Sequence, residues 1–159
     1  MAARRLSLFL VLTSLVVALA LNLGAIRNEW LFWKPPVLLL VALYWLLFEP
    51  QTFGMAFAFL LGLLLDFASG APAGEFAMAF SVTAYLAQIL EHRLKHFTIF
   101  YQCLLVGGLT LIYQLISVTI DVAIDGGSLA LSHFYPALTA MLVWPLVAGI
   151  LGRTHRYGQ

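Results

Sequence analysis

Residues 35–74 read PPVLLLVALYWLLFEPQTFGMAFAFLLGLLLDFASGAPAG, and how this stretch is divided decides the fold. Two apolar runs are separated by Glu49-Pro50 and closed by Ser69-Gly70-Ala71-Pro72. Pro35-Pro36 suits the opening turn of a helix, where a missing N–H costs nothing. Pro50 does not suit a helix interior, because it deletes a hydrogen bond and clashes with the preceding turn. The stretch therefore holds two helices rather than one. Each run has about 13 to 16 apolar residues, or about 20–24 Å of helix, against a hydrocarbon core of about 30 Å. They read as two short spans or as a re-entrant pair.

Outward from this stretch, composition sets the environment. Of 159 residues, 63% are apolar and 9% charged, and the mean hydropathy is +0.99. A soluble domain carries roughly 25% charged residues, so a free soluble domain is excluded, as is a disordered chain. Strand alternation with polar residues facing a lumen is absent, which excludes an outer-membrane barrel. The net charge of +1 comes from scattered basic residues. Phosphate binding needs them clustered, so no nucleic acid is expected as a partner. Cys103 is the single cysteine, which leaves no intrachain disulfide and no cysteine-based metal site.

Four further apolar runs flank the central pair: about Leu6–Ala25, Gly74–Leu90, Phe97–Ile124 and His133–Leu151, with Phe53–Asp66 as the third in chain order. With six segments and a cytoplasmic N-terminus, Arg4, Arg5, Arg93, Lys95, Arg153 and Arg156 fall inside, and only Arg27 and Lys34 outside. That distribution obeys the positive-inside rule. Fusing segments two and three would move Arg93 and Lys95 outside, whereas a re-entrant pair leaves every loop in place. The expectation is an all-α integral membrane protein. It is a six-helix bundle with short second and third helices and both termini cytoplasmic, in one polytopic domain over residues 1–159. Arg4-Arg5 followed by Ala18-Leu19-Ala20 has the outline of a signal peptide. The apolar stretch runs past that site to Leu23, so an uncleaved first helix is expected.

The sharpest pattern lies in segment three, where Gly54, Ala58, Gly62, Asp66 and Gly70 recur every four residues. That spacing stacks residues on one helix face, and small residues let another helix approach closely in lipid. The face is a candidate docking surface for a partner helix, with intramolecular packing as the plainer reading. Asp66 is either a cap for the following turn or helix start, or a contact to a ligand or partner. In segment five, Thr110, Gln114, Ser117 and Asp121 share one face. Segment four offers Ala77, Ser81, Ala84 and Gln88, with Tyr85 adjoining. These stripes are expected to meet as an internal hydrogen-bonded network or to line a hydrated pocket. Pro145, after Trp144, should kink segment six. Trp30, Trp33, Tyr44, Trp45, Tyr135 and Tyr157 suit an interfacial aromatic belt.

Catalytic signatures are poor. His92 and His96 are four apart, but Arg93 stands where a zinc protease motif wants Glu. Phe67-Ala68-Ser69-Gly70 lacks the leading glycine of a serine intramembrane protease loop, and no histidine is placed to activate Ser69. No enzyme activity, cofactor or metal is expected.

Several features in order resemble the rod shape-determining MreD family. They are Pro35-Pro36, Tyr44-Trp45, Gly62-Leu63-Leu64-Leu65-Asp66 with Ser69-Gly70 and Gly74, then Ala84-Tyr85-Leu86 and Trp144-Pro145. The match spans nearly the whole chain and departs in segment five, so nothing is carried over to Asp121. The resemblance implies a bacterial inner-membrane subunit of the cell-elongation machinery, linking cytoskeletal filaments with peptidoglycan synthesis. The partners it implies are an MreC-like bitopic periplasmic protein, a RodA-type glycosyltransferase with its transpeptidase, an MreB-like actin filament and membrane lipid. It also implies a fold similar to the S components of energy-coupling-factor transporters, which makes a vitamin-binding transporter subunit the alternative.

Overall fold

A computed structural model describes residues 2–24, 34–49, 53–94, 98–126 and 131–157. Arg27, Glu29, Trp30, Trp33, Pro50, Lys95 and His96 lie outside the described residues, as do the side chains of Arg4, Arg5, His92, Arg93, Arg156 and Tyr157. Six α-helices and no strand occur among the described residues. They are α1 (Ala2–Gly24), α2 (Val37–Phe48), α3 (Met55–Ser69), α4 (Glu75–Leu94), α5 (Ile99–Asp125) and α6 (Tyr135–Tyr157). A short 3-10 turn at Leu131–Phe134 leads into α6.

The helix boundaries follow local chemistry. The carbonyl of Pro36 accepts the Leu40 N–H at 3.0 Å, so the proline pair stands at the start of α2 as its missing donors allow. Gly70 and Gly126 end α3 and α5 in the left-handed conformation, with φ of 71° and 69°. A residue without Cβ adopts that conformation without steric cost. Gly126 also donates its N–H to the Val122 carbonyl at 3.0 Å, closing the last turn of α5.

At the centre lies α2. Every residue from Leu38 to Leu47 is buried, and the helix packs against α1, α4 and α6. A helix enclosed on all sides must be apolar on all sides, which accounts for the unbroken run VLLLVALYWLLF. This corrects one expectation. Tyr44 and Trp45 are 2% and 1% exposed and belong to the core, not to an interfacial belt. Their position near a helix end is misleading, because the whole of α2 is surrounded. The Trp45 indole N–H donates to Ser14 Oγ of α1 at 3.0 Å, and the Tyr44 ring stacks on Phe48 with centroids 4.5 Å apart. Tyr135, at 39% exposure, does lie at the surface.

Around α2 the chain neighbours pack in order, α3 on α4, α4 on α5 and α5 on α6. The outer surface is apolar. Leu142, Phe67 and Phe100 are each more than 70% exposed, and Phe9, Leu12 and Leu146 more than 60%. A surface of this kind suits hydrocarbon rather than water. The α5 segment Ile99–Ile124 and the α6 segment Tyr135–Arg153 are long and apolar enough to cross a membrane. With 12 and 15 residues, α2 and α3 are shorter. Helix α6 continues through Pro145, whose ring faces outward, while Trp144 beside it is 1% exposed.

Candidate functional site

Asp66 sits in the last turn of α3 and is 2% exposed. Its carboxylate accepts three backbone hydrogen bonds from the start of α4. Gly74 N–H reaches Oδ2 at 2.9 Å, Phe76 N–H reaches Oδ1 at 2.8 Å and Ala77 N–H reaches Oδ2 at 3.3 Å. The first N–H groups of a helix have no intrahelical acceptor, and a negative charge there also meets the positive end of the helix dipole. Asp66 thus supplies, from the preceding helix, the cap that α4 lacks locally. Gly74 (φ 105°) and Gly70 turn the chain back so that the two helix ends meet. The Ser69 hydroxyl donates to the Leu65 carbonyl at 2.6 Å, which ties it to the α3 backbone.

One turn earlier, α3 and α4 touch backbone to backbone. A methyl group added at Gly62 would lie 2.6 Å from the Ala77 Cα and from the Phe76 carbonyl oxygen. No relaxed carbon contact is that short, so only glycine fits. Ala58 is 2% exposed and lines a small void with Ala42, Leu46, Phe80 and Ala84. The structure therefore turns Ala58, Gly62 and Asp66 inward, whereas Gly54 and Gly70 have open space beside them. The opposite side of α3 exposes Phe59, Leu60, Leu64 and Phe67.

The two polar stripes do not bond to each other among the described residues. Ser81 donates to the Ala77 carbonyl at 2.7 Å and Thr110 to the Val106 carbonyl at 2.8 Å, each within its own helix. Hydroxyls on helices have the carbonyl four residues back within reach and need no partner helix. Tyr85 is 55% exposed, and Gln88 and Asp121 are partly exposed. Between α4 and α5 one contact is aromatic: Tyr113 stacks on Phe76 at 6.3 Å and meets Phe80 edge-on at 5.5 Å.

Gln114 and Ser117 instead face a cavity of about 380 Å³. Its wall draws on the end of α1 (Asn22), the approach to α2 (Lys34), the end of α3 (Leu65, Ser69), the start of α4 (Phe76) and the start of α6 (Pro136). Alternating helix ends meet there, as an up-and-down bundle requires. Ser117 donates to the carboxylate of Glu75, which is 6% exposed. The Gln114 Oε1 atom is buried and accepts no hydrogen bond. The Lys34 ammonium donates to the Asn22 carbonyl, and burial pushes its pKa below the usual lysine value. No carboxylate pairs with it among the described residues.

Asn22, Lys34 and His133, which line the cavity, and Glu75, to which Ser117 donates, are polar residues that the sequence did not single out for a site. Glu75 carried one usable signal, an acid in the first turn of a helix. Lys34 and His133 follow no periodicity, since both precede their helices. No group of three or more His, Cys, Asp or Glu residues could hold a metal ion among the described residues.

Comparison with known proteins identifies the family. The family model for rod shape-determining protein MreD matches residues 3–153. The rod shape-determining protein MreD of Haemophilus influenzae is 27% identical over 148 residues, covering 93% of this chain and 91% of that protein. No solved structure matches the chain, and nothing in these likenesses points to vitamin transport. The chain belongs to the MreD family of rod shape-determining proteins.

Proposed function

We propose that this protein is a non-catalytic, multi-pass subunit of the rod-shape machinery in the bacterial inner membrane, acting by contact. In this reading both termini are cytoplasmic, and the protein links MreB-like filaments, directly or indirectly, with peptidoglycan synthesis. Its membrane partners are an MreC-like bitopic protein and a RodA-type glycosyltransferase with its transpeptidase. The observation that carries the role is the family match over residues 3–153. The orientation rests on the six basic residues that a cytoplasmic N-terminus gathers on one side.

The fold supports contact through the outward face of α3. Because Ala58, Gly62 and Asp66 are occupied by α4 and α2, we place the partner helix on the other side of α3. There an apolar groove with α1 is lined by Leu12, Val16, Leu19, Leu60 and Leu64. Gly54 and Gly70 stand at the two ends of α3 with open space beside them. The test is co-purification with an MreC-like partner after Leu60→Trp and Leu64→Trp. Recovery should fall at least tenfold while helical content and monodispersity are retained. Undiminished recovery would move the docking surface away from this groove.

A further inference from the structure

The cavity at the Lys34 end of the bundle shares no lining residue with the α1–α3 groove. Three features describe what it would take. Lys34 brings a partly desolvated ammonium that donates to the Asn22 carbonyl and has donors to spare. Gln114 brings a buried acceptor with no donor. The remaining wall is mostly apolar and includes Leu23, Leu65, Phe76 and Val118.

A buried acceptor left unsatisfied is costly, so a donor in the cavity is favoured. One water could donate to Gln114, but a water occupies about 30 Å³. Water would leave most of the roughly 380 Å³ against apolar side chains. That volume falls in the range of pockets that hold small organic ligands, about 300–1,000 Å³. Lysine binds phosphate groups as a point charge. Ser117 and Ser69 do not satisfy Gln114 Oε1, because their protons go to Glu75 and to the Leu65 carbonyl.

We infer that this cavity binds a hydroxyl-bearing phosphate ester, its anion on Lys34 and its hydroxyl donating to Gln114 Oε1. The same chemistry is offered by a glycerol-type phospholipid headgroup and by a free polyol phosphate. The largely apolar remainder of the wall favours the lipid, whose glycerol and first acyl carbons would pack against it. The inference stands on the cavity alone and does not depend on which protein partners dock elsewhere.

The test uses the full chain in neutral detergent, with bound ligand counted by native mass spectrometry. The probes are dihexanoylphosphatidylglycerol, dihexanoylphosphatidylcholine and glycerol 1-phosphate. The wild type should bind one phosphatidylglycerol saturably, and phosphatidylcholine at least tenfold more weakly, since choline offers no hydroxyl donor. Lys34→Met and Gln114→Leu should each weaken phosphatidylglycerol binding at least tenfold. Lys34→Arg should retain it, and so should Gln88→Leu, which lies outside the cavity. Circular dichroism confirms that each variant is folded, and either cavity variant suffices if the other fails to fold. Glycerol 1-phosphate binding as tightly as the lipid assigns the site to a free phosphate ester; lipid binding alone assigns it to the bilayer. Equal binding by the wild type and the folded cavity variants overturns the inference, as does phosphatidylcholine binding as well as phosphatidylglycerol, or no saturable binding of any probe.

Discussion

Asp66 and Gln114 face the same end of the bundle, and Phe76 belongs to both surroundings: its N–H bonds the Asp66 carboxylate and its ring lines the cavity beside Gln114. The two sites are built in opposite ways. Around Asp66, three N–H groups converge on one carboxylate and a glycine lets the backbones touch. Around Gln114, an acceptor is buried without a donor beside open volume. Folding itself supplies the partners of the first site. The second is left with capacity that folding does not use. A buried polar group is therefore not a sign of function by itself; what separates the two is whether the fold satisfies it.

Five substitutions at four positions test that contrast. The largest effect is expected for Asp66→Ala, which strands three N–H groups at the start of α4. Unsatisfied buried donors cost about 1–3 kcal/mol each, and partial hydration tempers the sum to about 3 kcal/mol or more. Asp66→Asn should keep part of this, because its amide oxygen still accepts. Denaturant unfolding in detergent measures both, and an Asp66→Ala protein as stable as the wild type would dissolve the contrast.

Next comes Gly62→Ala. The added methyl meets backbone atoms, which cannot rotate away. Overpacking of this kind costs about 1–3 kcal/mol, and the loss should appear as a lowered midpoint in the same unfolding experiment. If the midpoint does not move, α3 and α4 can separate freely, and the small-residue face would be open to a partner after all.

Gln114→Leu should do the reverse of Asp66→Ala. Removing an acceptor that has no partner, at similar volume, should leave stability unchanged or raise it by about 1 kcal/mol at most. A marked loss would show that Gln114 is satisfied by the fold and would erase the difference between the sites.

The smallest effect concerns Lys34 and pH. Burial lowers its folded pKa below the ordinary value of 10.5. Between those two values the unfolded chain binds more protons, so stability should rise with pH across that window. Lys34→Met should abolish this rise relative to the wild type. The rise should also shrink when an anion occupies the cavity, because the anion favours the charged lysine. A pH-independent difference between the two proteins would show that Lys34 is as well solvated folded as unfolded.

Much of the architecture was legible because its signals are local. Pro35-Pro36 and Glu49-Pro50 bracket α2 within two residues of its observed limits. Helix α4 runs to Leu94 rather than Leu90, since Glu and Arg are good helix formers. Helix α6 begins at Tyr135 rather than His133 because a 3-10 turn precedes it. The four-residue rhythm of α3 is legible because spacing places residues on a face whatever that face meets, and at Gly62 that face meets α4. Its partner was not legible. Ala58, Gly62 and Asp66 meet α4, a choice that depends on where the Ser69–Gly74 turn sends the chain.

The sequence by itself determined that the described residues are helical, how many helices they form and where small residues permit contact. Those properties follow from apolar runs, helix breakers and periodicity, which act over a few residues. Only the tertiary structure decided that α2 is the enclosed core helix, since α2 and α3 are both short apolar runs and length does not say which is surrounded. It also decided that Asp66 is satisfied and Gln114 is not. Hydrogen-bond satisfaction depends on groups 8 to 11 residues away for Asp66 and 42 residues away for the Ser117–Glu75 pair. Distances in space of that kind are set by packing, and no spacing along the chain encodes them.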